Sequence, residues 1–123
     1  KFMSVIQGKV AFVNLVEHEV YEGKTTGKYS IVLTLDQDEA EKMLAQGVKL
    51  RTYEDTQQRK FATQYDVPIY DTENNEFIGQ ITRGSIVKVQ YSLSDPSPVY
   101  GVTPYLDKIR VLELAEGNTD EDF

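Results

Sequence analysis

Apolar residues in this chain recur at every second position in short runs, and the runs are separated by breaks rich in Gly, Pro, Asn and Asp. A period of two is the period of a half-buried strand. Residues 28–35 show it most cleanly. Tyr29, Ile31, Leu33 and Leu35 fall on one face, and Lys28, Ser30, Val32 and Thr34 on the other. Residues 48–53 repeat it, with Val48 and Leu50 opposite Lys49, Arg51 and Tyr53. Residues 85–91 and 105–114 are further strands, with Val87, Val89 and Tyr91 opposite Lys88 and Gln90, and Ile109 and Val111 opposite Lys108 and Arg110. Residues 4–16 are apolar on both faces and predict a long first strand, with Gly8 as its bend or bulge. Residues 59–70 form a strand edged at Pro68, and residues 77–82 a short strand holding Gly79. Residues 17–27 predict a mobile loop, 71–76 and Arg83-Gly84 turns, and the proline-rich 92–104 an irregular loop.

One segment departs from that period. Asp36 can cap a helix over 37–46, with Glu39 placed for a capping box and acids in the first turn. Ala40, Met43 and Leu44 form its apolar stripe, and Gly47 ends it. One helix and about six strands without βαβ alternation predict a mainly β chain. The architecture expected is a modified, five-to-six-stranded antiparallel OB-like barrel with one helix.

With 123 residues the chain fits one domain with a core of its own. It has no cysteine and a single histidine, His18, so disulfides, thiolate metal sites and histidine-rich metal clusters are excluded. No apolar run reaches the length of a membrane span, and no signal peptide is visible, so a soluble intracellular protein is expected. Lys1 and Phe2 precede Met3, which is taken as the natural start.

The net charge of −7 argues against polyanion binding until its distribution is considered. Residues 113–123 carry Glu113, Glu116, Asp120, Glu121 and Asp122 and no base, so the body holds 13 bases against 15 acids. Many of those acids are grouped, as Glu17, Glu19 and Glu22 and as Asp36, Asp38, Glu39 and Glu41. A basic face elsewhere on the body is then compatible with the total.

Cations and aromatics interleave on the strands. Lys49, Arg51 and Tyr53 share a face by spacing, as do Arg59, Phe61 and Tyr65. Lys88, Lys108 and Arg110 face away from apolar neighbours. Single-strand nucleic-acid binding needs this pairing, because cations follow phosphates and flat rings stack on bases of any sequence. Tyr29 and Tyr91 belong to apolar faces and read as core. Tyr53, Phe61 and Tyr65 fit either role, and so does Phe12. There is no Gly-rich phosphate loop before a helix and no close carboxylate set for a metal. Asp66, Asp71, Glu73 and Glu76 read as turn residues. No enzyme, metal or cofactor is expected.

After Leu114 apolar content ceases until Phe123, so residues 1–114 are read as the folded domain and 115–123 as a disordered acidic tail. Carboxylates resemble phosphates in charge, and the Phe123 ring resembles a base. A tethered tail of this kind competes with nucleic acid at an effective concentration of order millimolar.

Several segments resemble the phage single-stranded DNA-binding protein family. They are Gly8-Lys9-Val10-Ala11-Phe12-Val13-Asn14-Leu15, Gly27-Lys28-Tyr29-Ser30, Gln58-Arg59-Lys60-Phe61, Gly84-Ser85 and Tyr105-Leu106-Asp107-Lys108-Ile109-Arg110-Val111-Leu112, in that order and followed by the acidic tail. The resemblance implies an OB fold and single-stranded DNA as partner in phage replication or recombination, in the cytoplasm of the infected host. It implies tail contacts, through Glu116, Asp120, Glu121, Asp122 and Phe123, with a phage polymerase or helicase, and it allows a homodimer. The DNA-binding residues expected are Lys9, Lys28, Lys49, Arg51, Tyr53, Arg59, Lys60, Phe61, Tyr65, Lys88, Lys108 and Arg110. The rival reading is a phage protein-interaction module without nucleic-acid binding.

Overall fold

Five long strands carry the architecture of the computed structural model, which describes residues 3–15, 20–21, 23–25, 27–99 and 101–115. They are β1 (Met3–Asn14), β4 (Tyr29–Leu35), β6 (Thr56–Thr63), β8 (Ile86–Leu93) and β9 (Pro104–Glu113). Short strands β5 (Arg51–Tyr53) and β7 (Ile69–Tyr70) flank them, and helix α1 spans Gln37–Ala45. The sheet order is β5-β6-β4-β1-β8-β9-β7, and β6 also meets β9 in parallel through Ala62 and Tyr105. The five long strands therefore close into a ring that is not a regular barrel, an OB-like fold. Within the expected loop at 17–27, Val20–Tyr21 (β2) pairs with Lys24–Thr25 (β3).

Strand β1 serves two neighbours. Its residues 3–9 pair with β8 and its residues 9–14 with β4. Such sharing requires strong curvature, and Gly8 permits the close approach at the crossover. A Cβ on Gly8 would stand 3.0 Å from both Leu33 Cβ and the Thr34 carbonyl oxygen. The bulge itself lies elsewhere than expected: the β1–β4 register slips between Val10 and Phe12, leaving Ala11 unpaired. Gly8→Ala should cost about 1–3 kcal/mol by overpacking, measured as a lower urea midpoint with unchanged slope.

The core is the inward row of each strand. Ile6, Val10, Ile31, Leu33, Phe61, Val87, Val89, Tyr91, Leu106, Ile109 and Val111 are all buried. Phe61 and Tyr91 meet with ring centroids 5.4 Å apart. The buried Tyr91 hydroxyl donates to Gln46 Oε1 at 2.6 Å, which satisfies it and ties the end of α1 to the ring.

Helix α1 starts as the sequence suggests, with Asp36 Oδ1 accepting from the Glu39 N–H at 2.9 Å. The second half of a capping box is not made. Glu39 Oε1 instead accepts from the Gln7 N–H at 3.2 Å, and Lys42 Nζ donates to the Val5 carbonyl at 3.1 Å. The β4 pairing of β1 begins only at Lys9, so these side chains occupy the edge of β1 that lacks a strand. Ala40 and Met43 are buried, whereas Leu44, expected in the same stripe, is 55 % exposed. Gly47, at φ +86°, ends the helix.

Two further expectations are corrected. Residues 77–82 are not a strand, because Gly79 adopts φ +123° and interrupts the extended run, and Ile78 is left in solvent. Ala115, assigned to the tail by composition, is held at the folded body. Its N–H donates to Ser85 Oγ at 3.0 Å and its carbonyl accepts from Thr82 Oγ1 at 2.6 Å. The remainder of the expected tail, including Glu116, Asp120, Glu121, Asp122 and Phe123, lies outside the described residues.

Candidate nucleic-acid interface

The β4–β6 register assigns the outer face of the ring. Ile31 faces Phe61 inside, so Ser30 with Ala62, Val32 with Lys60, and Thr34 with Gln58 point outward. The neighbouring strands extend these rows. Asn14, Ser30, Ala62 and Tyr105 form one row, in which Ser30 itself is buried, Phe12, Val32 and Lys60 a second, and Lys9, Thr34, Gln58 and Arg51 a third. With strands about 4.8 Å apart, such rows place side chains from different strands within reach of one extended polymer.

Where β6 meets β9 the surface sinks into a groove of about 740 Å³. Lys28, Arg51, Arg59 and Lys60 supply positive charge to it, Tyr65 and Tyr105 supply rings, and Asp107 is its acid. Tyr65 is 69 % and Tyr105 51 % exposed, so both have ring faces free of the core. Tyr65 follows the end of β6, in a bend held from two sides. Its N–H donates to Thr63 Oγ1 at 3.2 Å. The next residue, Asp66, is hydrogen-bonded to the Tyr29 hydroxyl, whose pKa is raised by desolvation first and by the Asp66 charge and hydrogen bond after it.

Arg59 is held by two backbone carbonyls. Its Nη1 donates to the Lys49 carbonyl at 3.1 Å and its Nε to the Lys60 carbonyl at 3.0 Å. Desolvation lowers its pKa, but a guanidinium keeps its charge throughout the neutral range. Two backbone contacts fix its plane, so it presents a positioned charge instead of a freely rotating one.

The predicted residues divide into four groups. Lys28, Arg51, Arg59, Lys60 and Tyr65 come together in the groove, and Lys9 stands in the outer row that leads to Arg51. Lys49 and Tyr53 are exposed but do not line the groove, and Lys49 Nζ donates to the Val99 carbonyl at 3.1 Å, bracing the β8–β9 loop. Phe61 is wholly buried and packed on Tyr91, which excludes base stacking. Its face is the interior, while Tyr65 lies beyond the strand, so spacing alone grouped them wrongly. Lys88, Lys108 and Arg110 sit on the outer wall of β8 and β9, in a separate concavity with Val5 and Tyr70. There Arg110 is committed to the 71–75 turn, through the Asp71 carbonyl at 2.7 Å and Asn74 Oδ1 at 3.1 Å. Lys108 Nζ stands 5.9 Å from the Tyr70 ring centroid.

Sequence spacing missed three contributors. Phe12 would point inward in an unbroken strand, but the extra residue Ala11 reverses its side and leaves it 61 % exposed. The Arg83 guanidinium lies 5.2 Å from its ring centroid, and Arg83 Nε donates to the Ala11 carbonyl at 3.1 Å. Tyr105, third of the three, shares its spacing with the inward Ile109 and Val111, but an extra residue of β9, Asp107, reverses its side and leaves it 51 % exposed. Among the described residues no group of three or more His, Cys, Asp or Glu could hold a metal ion, and no helix is long and apolar enough to cross a membrane.

No family model matches this chain, and no curated protein matches it in sequence. Solved structures do. The gp2.5 single-stranded DNA-binding protein encoded by bacteriophage T7 superposes with a TM-score of 0.72 at 16 % identity, covering 98 % of this chain and 91 % of its own. A C-terminal truncation of the single-stranded DNA-binding protein from bacteriophage Enc34 gives 0.72 at 12 % identity, covering 94 % and 88 %. The Enc34 protein in complex with ssDNA gives 0.69 at 11 % identity, with the same coverage of 94 % and 88 %. Likeness at such identity is likeness of fold: this chain has the OB-like fold of phage single-stranded DNA-binding proteins.

Proposed function

We propose that this chain is a non-sequence-specific single-stranded DNA-binding protein of phage replication and recombination, without enzymatic activity, acting in the cytoplasm of the infected host. The observation that carries the reading is the β6–β9 groove, which four cations and two exposed rings line together. Cations that follow phosphates and rings that accept any base are what sequence-tolerant capture of a single strand requires. Phe12 under Arg83, in the same row as Val32 and Lys60, extends the same chemistry over β1 and β4. The fold shared with a protein solved on ssDNA supports this reading.

Residues 116–123 act in this proposal as a tethered competitor, their carboxylates and Phe123 imitating phosphate and base. Displaced by DNA, they become available to replication proteins such as a polymerase or helicase.

A fluorescence-anisotropy titration with a labelled oligonucleotide of about 20 nucleotides tests the reading. Binding should weaken with salt, with a log–log slope of about −0.7 for each phosphate neutralised, hence roughly −2 to −3 for four groove cations. A flat salt response, or no binding, contradicts it. Removing residues 116–123 should tighten binding about 2- to 10-fold at low salt, as loss of a competitor at about millimolar effective concentration implies. Unchanged or weaker binding would remove the competition model.

A further inference from the structure

Strand β9 holds one residue more than its partner between two rungs. Gln90 pairs with Lys108 and Tyr91 with Leu106, so Asp107 is the extra residue of a β-bulge. Bulges re-aim a side chain without disturbing the strands on either side. Asp107 is turned into the groove wall, on the same surface as Lys28, Arg51, Arg59 and Lys60. Among the described residues it nevertheless forms no ion pair. Its Oδ2 accepts instead from the hydroxyl of Ser92, a buried residue, at 2.6 Å. One carboxylate oxygen is thus fixed from below, and the carboxylate stands in the groove wall.

A carboxylate repels phosphate, so the DNA backbone avoids this wall and runs along the β6 cations. The bases then face β9, where Tyr105, half exposed and two residues before Asp107, lines the same wall. An ionised carboxylate only accepts hydrogen bonds. Cytosine offers it an exocyclic amino group, while thymine presents a carbonyl oxygen at the corresponding position. Resting on the function proposed above, we infer that Asp107 reads base edges in the groove, setting which way the strand faces and favouring cytosine over thymine.

The test compares labelled dC and dT homopolymers of about 20 nucleotides at one salt concentration, with the full chain and its Asp107→Asn and Asp107→Ala variants. The readout is the ratio of the dT to the dC dissociation constant. Both variants should lower that ratio about three- to tenfold, the net effect of one ordinary hydrogen bond. Asp107→Ala should tighten dT binding while leaving dC binding unchanged or weaker. Asp107→Asn can keep the Ser92 contact through its carbonyl and offer its NH2 to the thymine oxygen, so its ratio should fall below that of Asp107→Ala. Because Asn preserves the Ser92 bond, it reports even if Ala unsettles the bulge. If both oligonucleotides shift by one common factor in both variants, Asp107 acts only as a charge or a brace and the inference fails. If the unaltered chain binds neither oligonucleotide, the proposed function fails and takes this inference with it.

Discussion

Replacing Arg51 and Lys60 together with alanine is expected to weaken single-stranded DNA binding roughly 25-fold at about 0.1 M salt, without loss of stability. Each cation that neutralises a phosphate contributes about 0.7 to the log–log salt slope, which at that concentration is a factor of roughly 5 in affinity. The double variant should therefore flatten the slope by about 1.4. Both side chains are exposed and on the outer face of their strands, so neither removal opens the core. The paired change Lys88→Ala with Lys108→Ala supplies the contrast. Those residues are also exposed, but they stand on the β8–β9 wall outside the groove, and their loss should leave affinity within about twofold. Equal losses in both double variants would mean that the anionic strand meets a diffuse field instead of a groove.

Phe61→Ala is expected to cost about 3–5 kcal/mol of folding stability, the range for deleting a buried aromatic ring. Phe61 is fully buried, opposite Ile31 on β4, with the Tyr91 ring beside it. Neither neighbour can refill the space without leaving its own strand position. Equilibrium urea unfolding measures the loss. The fraction that remains folded should bind DNA with unchanged affinity, because the ring never reaches the groove. A variant of normal stability with weakened binding would place the ring on the surface and contradict the packing described here.

Lys60 and Phe61 are neighbouring residues of one strand, and their contrast shows what was legible in the sequence. Alternation in residues 29–35 and 86–91 marked the core-facing rows correctly, although Ser30, on the other row, is buried as well. Asp36 as a helix cap was legible because capping is local, settled within four residues. Phe12 and Asp107 were not, for a shared reason. Each owes its outward direction to a bulge, and a bulge is set by how two strands pair, not by the residues that form it. The separation of Lys88, Lys108 and Arg110 from the groove was equally hidden. Spacing shows which face of a strand a cation occupies, but only the sheet order shows which wall of the ring that strand forms. Tyr65 was grouped with Phe61 by counting in twos across residue 63, where β6 ends. Lys49 looked like a phosphate contact and is instead engaged with the β8–β9 loop, a contact between residues 50 apart in sequence.

Mapping a single strand onto the surface by amide chemical shifts tests the location of the site most directly. On titration with an oligonucleotide, the largest shifts should fall on residues 59–65 of β6 and its bend and on residues 103–107 at the start of β9, with smaller ones near Phe12 and Arg83. Shifts confined to residues 86–90 and 108–110, with residues 59–65 unmoved, would place the DNA on the opposite wall and contradict the groove as the binding site.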